Sequence, residues 1–302
     1  MTVAASPSAL APPLPRVERL AVLAGLTTVT LWASAFVGIR AAGAQLSGGS
    51  LALGRLLVAA VVLGGVVAAR RGTLRRFSRR DLAGVAACGL LWFGAYNVVL
   101  NEAERRVDAG TAAMLVNVGP ILIALLAGVV LAEGFPRSLV RGLAVAFAGA
   151  LVIGLATRSA SADAGWGAVL CLIAAALYAG GVVAQKPLLA RHSALEVTFL
   201  ACAVGAVACL PFAPGLVDEL GRADAGTVAW MIYLGVFPTA LAFTTWAYAL
   251  SRTTAGKMGA LTYLVPPLAV LLGWVLLSEA PPLAALAGGA LCLAGVGLTR
   301  RG

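Results

Sequence analysis

Charge is scarce in this sequence: Asp, Glu, Lys and Arg together make up 11% of 302 residues, and there is a single histidine. A soluble globular domain carries about 25% charged residues, so a soluble enzyme is excluded. One histidine, His192, also leaves little material for acid–base or metal chemistry. Cysteine is nearly as sparse. Cys88, Cys171, Cys202, Cys209 and Cys292 are odd in number, lack CxxC spacing and sit inside apolar segments. That pattern excludes a disulfide-framed secreted module and a zinc site, and leaves them as small packing residues. No metal and no other cofactor is expected, and long polar loops are missing as well.

What fills the chain is hydrocarbon. Hydrophobic residues make up 61% of the sequence, and the mean hydropathy is +0.97. This is the composition of an all-α integral membrane protein. A bilayer core about 30 Å thick takes about 20 helical residues per crossing, so the chain can supply roughly ten crossings with short loops. The 36 glycines, with no collagen-like period, fit close backbone approach between membrane helices. The net charge of +10 is spread between apolar runs rather than over one groove or helix face. Nucleic acid is therefore excluded as a partner, and the lipid bilayer is the partner that the composition demands.

Apolar runs broken by charge clusters, Gly/Pro pairs and polar turns predict spans near 20–40, 48–69, 82–101, 109–131, 137–156, 165–185, 196–215, 226–250, 255–277 and 282–299. The Pro-rich start is expected to be a disordered tail over 1–19, followed by an uncleaved first helix that is too long for a signal-peptide core. Arg70, Arg71, Arg75, Arg76, Arg79 and Arg80 join spans two and three, and the positive-inside rule places them in the cytoplasm. With that choice, 16 Lys and Arg fall on the cytoplasmic side and five on the other (Arg40, Arg105, Arg106, Arg158 and Arg222). Both termini are then cytoplasmic, in a multi-pass protein of the inner or plasma membrane. Trp166, Trp230 and Trp274 fall near predicted outer ends, where an indole can sit among headgroups.

Sliding the sequence against itself gives a match at an offset of 146 residues. Ala109-Gly110, Pro120, Glu133, Pro136, Gly142 and Gly149 meet Ala255-Gly256, Pro266, Glu279, Pro282, Gly288 and Gly295. The same offset lays Leu31-Trp32-Ala33 on Leu177-Tyr178-Ala179 and Arg40 on Lys186. Two units follow, 20–156 and 165–300, each with five predicted spans. An odd number of spans forces the second unit into the membrane upside down relative to the first. Such inverted repeats build secondary transporters, with a substrate site near the midplane between halves that rock to alternate access.

With Trp32-Ala33-Ser34-Ala35-Phe36 in span one, and the related segments Ala109-Gly110 to Glu133 and Ala255-Gly256 to Pro282 closing the halves, the sequence is similar to EamA-type members of the drug/metabolite transporter superfamily. The resemblance covers about residues 20–300. It implies a transporter that exports a small metabolite, with amino acids, nucleobase-like metabolites and toxic compounds among the family's substrates. Export rests on the resemblance alone. The first half carries Ala132-Glu133-Gly134-Phe135-Pro136 where the second carries Ser278-Glu279-Ala280-Pro281-Pro282, a departure confined to one hairpin turn.

Candidate substrate-binding residues come from depth and from the repeat. Trp32 and Tyr178 correspond, as do Asn117 and Tyr263, and all four fall near mid-depth, where they either line a polar cavity or pack the bundle. Tyr96 and Asn97 in span three and Trp246 in span eight are further candidates. Arg55 is the one basic residue well inside a span, placed either to snorkel outward or to meet an anionic substrate group. Pro120 and Pro266 are expected to kink spans four and nine, as a hinge or to open the cavity. No Asp or Glu falls in the central third of a span. Glu102, Glu104, Asp108 and Glu196 lie at ends, so no buried carboxylate relay is visible, and uniport, exchange or coupling through end carboxylates stay open.

Glu133 and Glu279 are expected to face the amides of the Pro-started helix that follows each. Gln185, near a helix end, is expected to be solvated. Small residues at Gly142, Ala146, Ala150 and Gly154 permit close contact within the fold or between protomers, so a homodimer is allowed. An intramembrane enzyme and a channel-like membrane protein are the alternatives to a transporter.

Overall fold

The computed structural model describes residues 16–70, 76–106, 112, 115–157, 164–277 and 283–299. Among them there is no strand. In chain order the helices are α1 (Arg16–Ala42), α2 (Gly48–Ala69), α3 (Arg79–Cys88), α4 (Tyr96–Glu104), α5 (Gly119–Val130), α6 (Arg137–Thr157), α7 (Ala164–Leu188), α8 (Ala194–Ala208), α9 (Ala213–Leu220), α10 (Ala225–Leu234), α11 (Ala242–Leu250), α12 (Ala255–Leu261), α13 (Val265–Leu277) and α14 (Leu283–Thr299). Among the described residues, five stretches are long and apolar enough to cross a membrane: Val17–Ala42, Gly48–Ala69, Arg79–Glu104, Gly165–Leu188 and Ala225–Leu250. A sixth is counted when α8 and the segment Leu210–Leu220, bent by 50°, are taken as one. The first helix begins at Arg16, so Arg16 to Arg19 belong to α1 rather than to the tail. Part of the basic loop, Asp108, Ala109-Gly110, Arg158 and Glu279 lie outside the described residues.

Helix starts follow local chemistry. Ser47, Ser78, Ser193, Asp224 and Thr254 each accept a hydrogen bond from an amide three residues on, which satisfies one of the orphan donors of a first turn. Ser78 with Asp81 and Ser193 with Glu196 form reciprocal capping boxes. Ser47 and Ser193 stand 146 residues apart, as do Ser78 and Asp224. The regularity extends to the irregular parts. α3 and α4 are joined by a π-helical segment, Gly89–Ala95, and α10 and α11 by another, Gly235–Leu241, at the same offset.

Residues separated by that offset also touch one another. Cys202 Sγ donates to the Leu56 carbonyl at 3.5 Å, and Cys292 Sγ to the Ala146 carbonyl at 3.4 Å, each pair 146 positions apart. Two equivalent residues meet only where an approximate two-fold axis passes between them, so α2 with α8 and α6 with α14 straddle the middle of the molecule. A Cβ added at Gly295 would sit 2.4 Å from the Ala146 amide nitrogen, and one at Gly149 2.5 Å from the Gly288 carbonyl oxygen. The small-residue ridge is therefore consumed inside the chain by α6 against α14.

Cys88, Cys171, Cys202, Cys209 and Cys292 are buried, and none is in a disulfide among the described residues. Trp166 is 58% exposed, whereas Trp230 packs edge-on to Tyr233 at 5.6 Å. Gln185 is fully buried rather than solvated. Its helix continues to Leu188, and among the described residues neither its amide nitrogen nor its oxygen has a partner.

Candidate functional site

The residues expected at mid-depth separate into a cavity wall and the packing behind it. A cavity of about 680 Å³, mouth included, is lined by Trp32, Arg55, Tyr96, Asn97, Asn117, Pro120 and Tyr178 among others, drawing on both halves of the chain. Trp246, Tyr263 and Pro266 are not on its wall. Trp246 lies 5.0 Å from Trp32, centroid to centroid, and supports it from behind. Tyr263 is fully buried, and among the described residues its hydroxyl has no hydrogen-bond partner.

The wall is aromatic on one side. Trp32 makes edge contacts with Trp92 at 6.0 Å, Phe243 at 5.4 Å and Tyr178 at 6.3 Å, while Trp92 and Tyr178 lie 5.2 Å apart. Trp32 and Tyr178 are offset-related, so the approximate axis passes through this cluster too. Trp32 Nε1 donates to the Pro238 carbonyl at 3.3 Å, which fixes the indole against the second π-helical segment.

The π-helical segments set the polar groups. A π turn leaves carbonyls without their usual partner, and here side chains supply one. Asn97 Nδ2 donates to the Phe93 carbonyl at 2.8 Å and the Trp92 carbonyl at 3.2 Å. Thr239 Oγ1 donates to the Leu234 carbonyl at 2.7 Å and accepts from Arg55 Nε at 3.0 Å. Arg55 is 3% exposed. It therefore does not snorkel outward; it is held side-on by Thr239 and turned to the cavity.

The two prolines break their helices rather than kink them. Pro120 sits in the first turn of α5, after a turn in which the Val118 amide bonds the Leu115 carbonyl at 3.1 Å. Pro266 sits in the first turn of α13, after the 3₁₀ turn Thr262–Leu264. A first-turn proline loses no intrahelical bond. The breaks bring Val116, Pro120, Thr262 and Val265 to the cavity wall.

Several wall residues are not among the sequence candidates, Trp92, Phe243, Thr262 and Glu104 the most consequential of them. Glu104 ends α4, yet it lines the cavity, its Oε1 is buried without a hydrogen-bond partner among the described residues, and Arg55 and Arg40 lie within electrostatic range. Ile39 and Glu104 also line a second space of about 570 Å³ that reaches Arg40 and Arg105. The cavity thus continues toward that end of the bundle.

The opposite end is closed by contacts between the halves. Glu133 does not face the helix that follows it. Its carboxylate accepts from the amides of Ala255 at 2.9 Å and Gly256 at 3.3 Å, at the start of α12. The turn before α6 permits this through left-handed backbone at Ala132 and Gly134, with φ of 55° and 71°. Within the second half, Lys186 Nζ donates to the carbonyls of Leu250, at 2.6 Å, and Thr253, tying α7 to the end of α11. Among the described residues, no three His, Cys, Asp or Glu side chains gather as a metal site.

Two segments, 19–155 and 165–301, match the EamA-like transporter family. The chain belongs to that family. It is a multi-pass membrane protein of the transporter class. A probable terminal-alkyne amino-acid exporter of Streptantibioticus cattleyicolor is 41% identical over 93% of each chain. An uncharacterized transporter of Bacillus subtilis is 30% identical over 90% of this chain and 88% of its own. A probable amino-acid metabolite efflux pump of Salmonella typhimurium is 26% identical over 68% and 71%. A solved crystal structure shares the fold, with a TM-score of 0.76 at 21% identity over 93% of this chain and 96% of that one.

Proposed function

We propose that the chain is a secondary transporter, not an enzyme, that exports a small amino-acid-like metabolite across the cytoplasmic membrane by alternating access. The observation that carries this is the asymmetry of the cavity: both halves wall it, it continues toward the Arg40 end, and Glu133 binds across the halves at the other. Ten spans in two five-span units, 20–156 and 165–300, are supported by the matched helix starts, the matched π-helical segments and the offset-related pairs that touch. Two such units form inverted repeats, and rocking one against the other exchanges which end is open.

With the basic loop cytoplasmic, both termini are cytoplasmic, and the conformation described opens outward. Amino-acid-like cargo is supported by the two named exporters among the relatives, and by a cavity that joins aromatic surface to charged groups. The test is counterflow in proteoliposomes. Vesicles loaded with unlabelled neutral amino acids should take up the labelled compound transiently, with saturation. Uptake that is linear in concentration and shows no overshoot would mark a channel and remove alternating access.

A further inference from the structure

Arg55 and Glu104 are the charged groups on a wall that is otherwise aromatic, aliphatic, amide or, at Thr262, hydroxyl. Neither is demanded by the fold. Positions 146 residues on are Ala201 and Leu250, which occupy the equivalent places in the second half. Helix packing alone is thus satisfied by apolar residues there. Among the described residues, the bond to Thr239 is the hydrogen bond that the Arg55 guanidinium makes, which leaves its terminal nitrogens to the cavity. Glu104 Oε1 is buried and unpartnered. A buried charge is costly unless it is paired and hydrogen-bonded.

An anionic ligand would satisfy Arg55 and leave Glu104 as it is; a cation would do the reverse. A ligand carrying both signs satisfies both and adds no net charge to the site. Arg40, the other cation in range of Glu104, is exposed and shared with water, so it does not replace such a partner. Glu104 also lines the second space that reaches Arg40, whereas Trp32, Trp92, Tyr178 and Phe243 line the first cavity alone.

Building on the reading of this cavity as the transport site, we infer that it takes an α-amino acid as the zwitterion, the carboxylate on Arg55, the ammonium on Glu104 and an apolar side chain against Trp32 and Trp92. The planar guanidinium offers the paired donors that a carboxylate accepts. With an ammonium beside it to hold it ionised, Glu104 offers acceptors only.

The experiment uses three probes of one shape: L-leucine, L-leucinamide, which lacks the carboxylate, and 4-methylpentanoate, which lacks the ammonium. Inhibition constants are measured for wild type, Arg55→Gln and Glu104→Gln in proteoliposome counterflow, with melting temperatures on the same preparations. Wild type should prefer leucine over each analogue by about tenfold to a hundredfold, the range for a charge-assisted hydrogen bond. Arg55→Gln should flatten the preference over leucinamide alone, and Glu104→Gln the preference over 4-methylpentanoate alone. Should either variant fail to fold, the wild-type comparison still decides.

Equal inhibition of wild type by all three probes, by an analogue more than by leucine, or by none of them would overturn the assignment. So would preferences that survive in both folded variants. Saturable counterflow of compounds outside the amino-acid class would then show the transport reading standing without the zwitterion site, whereas absence of any counterflow would remove both.

Discussion

Tyr263 offers a perturbation whose sign depends on where the side chain lies. A residue on a cavity wall loses little packing when truncated, but Tyr263 is fully buried and off the wall. Tyr263→Ala should therefore cost about 3–5 kcal/mol, as for a large aromatic deleted from a core. Tyr263→Phe should do the opposite. The hydroxyl has no partner among the described residues, and an unsatisfied buried polar group costs about 1–3 kcal/mol. Removing it should raise the melting temperature by several degrees, at about 2–4 °C per kcal/mol.

Carriage of that cost in one conformation makes sense if the hydroxyl finds water or ligand when the other end opens. Tyr263→Phe should therefore stabilise the described conformation while slowing counterflow. The assay is thermal melting and flux on the same purified preparations. A Phe variant that melts lower than wild type would refute the placement of the hydroxyl in an unpartnered, buried site.

Asn117 lies on the wall, so Asn117→Ala should reduce flux severalfold while melting shifts by less than about 1 kcal/mol equivalent; a matched loss of both would assign it to packing. Gly295→Ala drives a Cβ onto the Ala146 backbone of α6 and should destabilise by about 1–3 kcal/mol in monomer and oligomer alike, read by melting in detergent at several protein concentrations. The Asp224 carboxylate is held below its ordinary value first by the Thr227 amide and then by the Gln45 side chain. A depressed acid stabilises the fold above its unfolded value and loses that contribution as pH falls through the folded one. The melting difference between wild type and Asp224→Asn should therefore be full at neutral pH and shrink below about pH 4; a gap independent of pH would contradict this. Glu133→Gln weakens a charged cap on α12 across the halves, and should raise labelling of a cysteine placed at Thr262 from the Glu133 side.

Much of this structure is written in periodicity. Apolar runs locate the helices, and the 146-residue repeat pairs Trp32 with Tyr178 at the centre of the aromatic cluster. Depth is legible because it is a count from the end of a run. Azimuth is not, since each helical residue turns the side chain by about 100°; Trp246 and Tyr263 have the right depth and the wrong face. The π-helical segments shift the facing of all that follows them, and nothing in Gly89–Ala95 or Gly235–Leu241 announces an extra residue per turn. Glu104 is missed for a related reason. An end of a span reads as solvated, but a cavity that reaches that end turns a terminal carboxylate into a wall. Gln185 is the converse, a helix-end position that the fold buries.

The central claim, that one cavity opens to each side in turn, is tested most directly by cysteine accessibility. In a background where Cys88, Cys171, Cys202, Cys209 and Cys292 are replaced, a single cysteine at Val116, on the wall, is challenged with a membrane-impermeant maleimide from each side of oriented vesicles. Without substrate, labelling should be faster from the Arg40 side; Glu133→Gln, or a saturating transported amino acid, should increase labelling from the opposite side and decrease it from the first. Equal labelling from both sides at once, unchanged by substrate, would contradict alternating access.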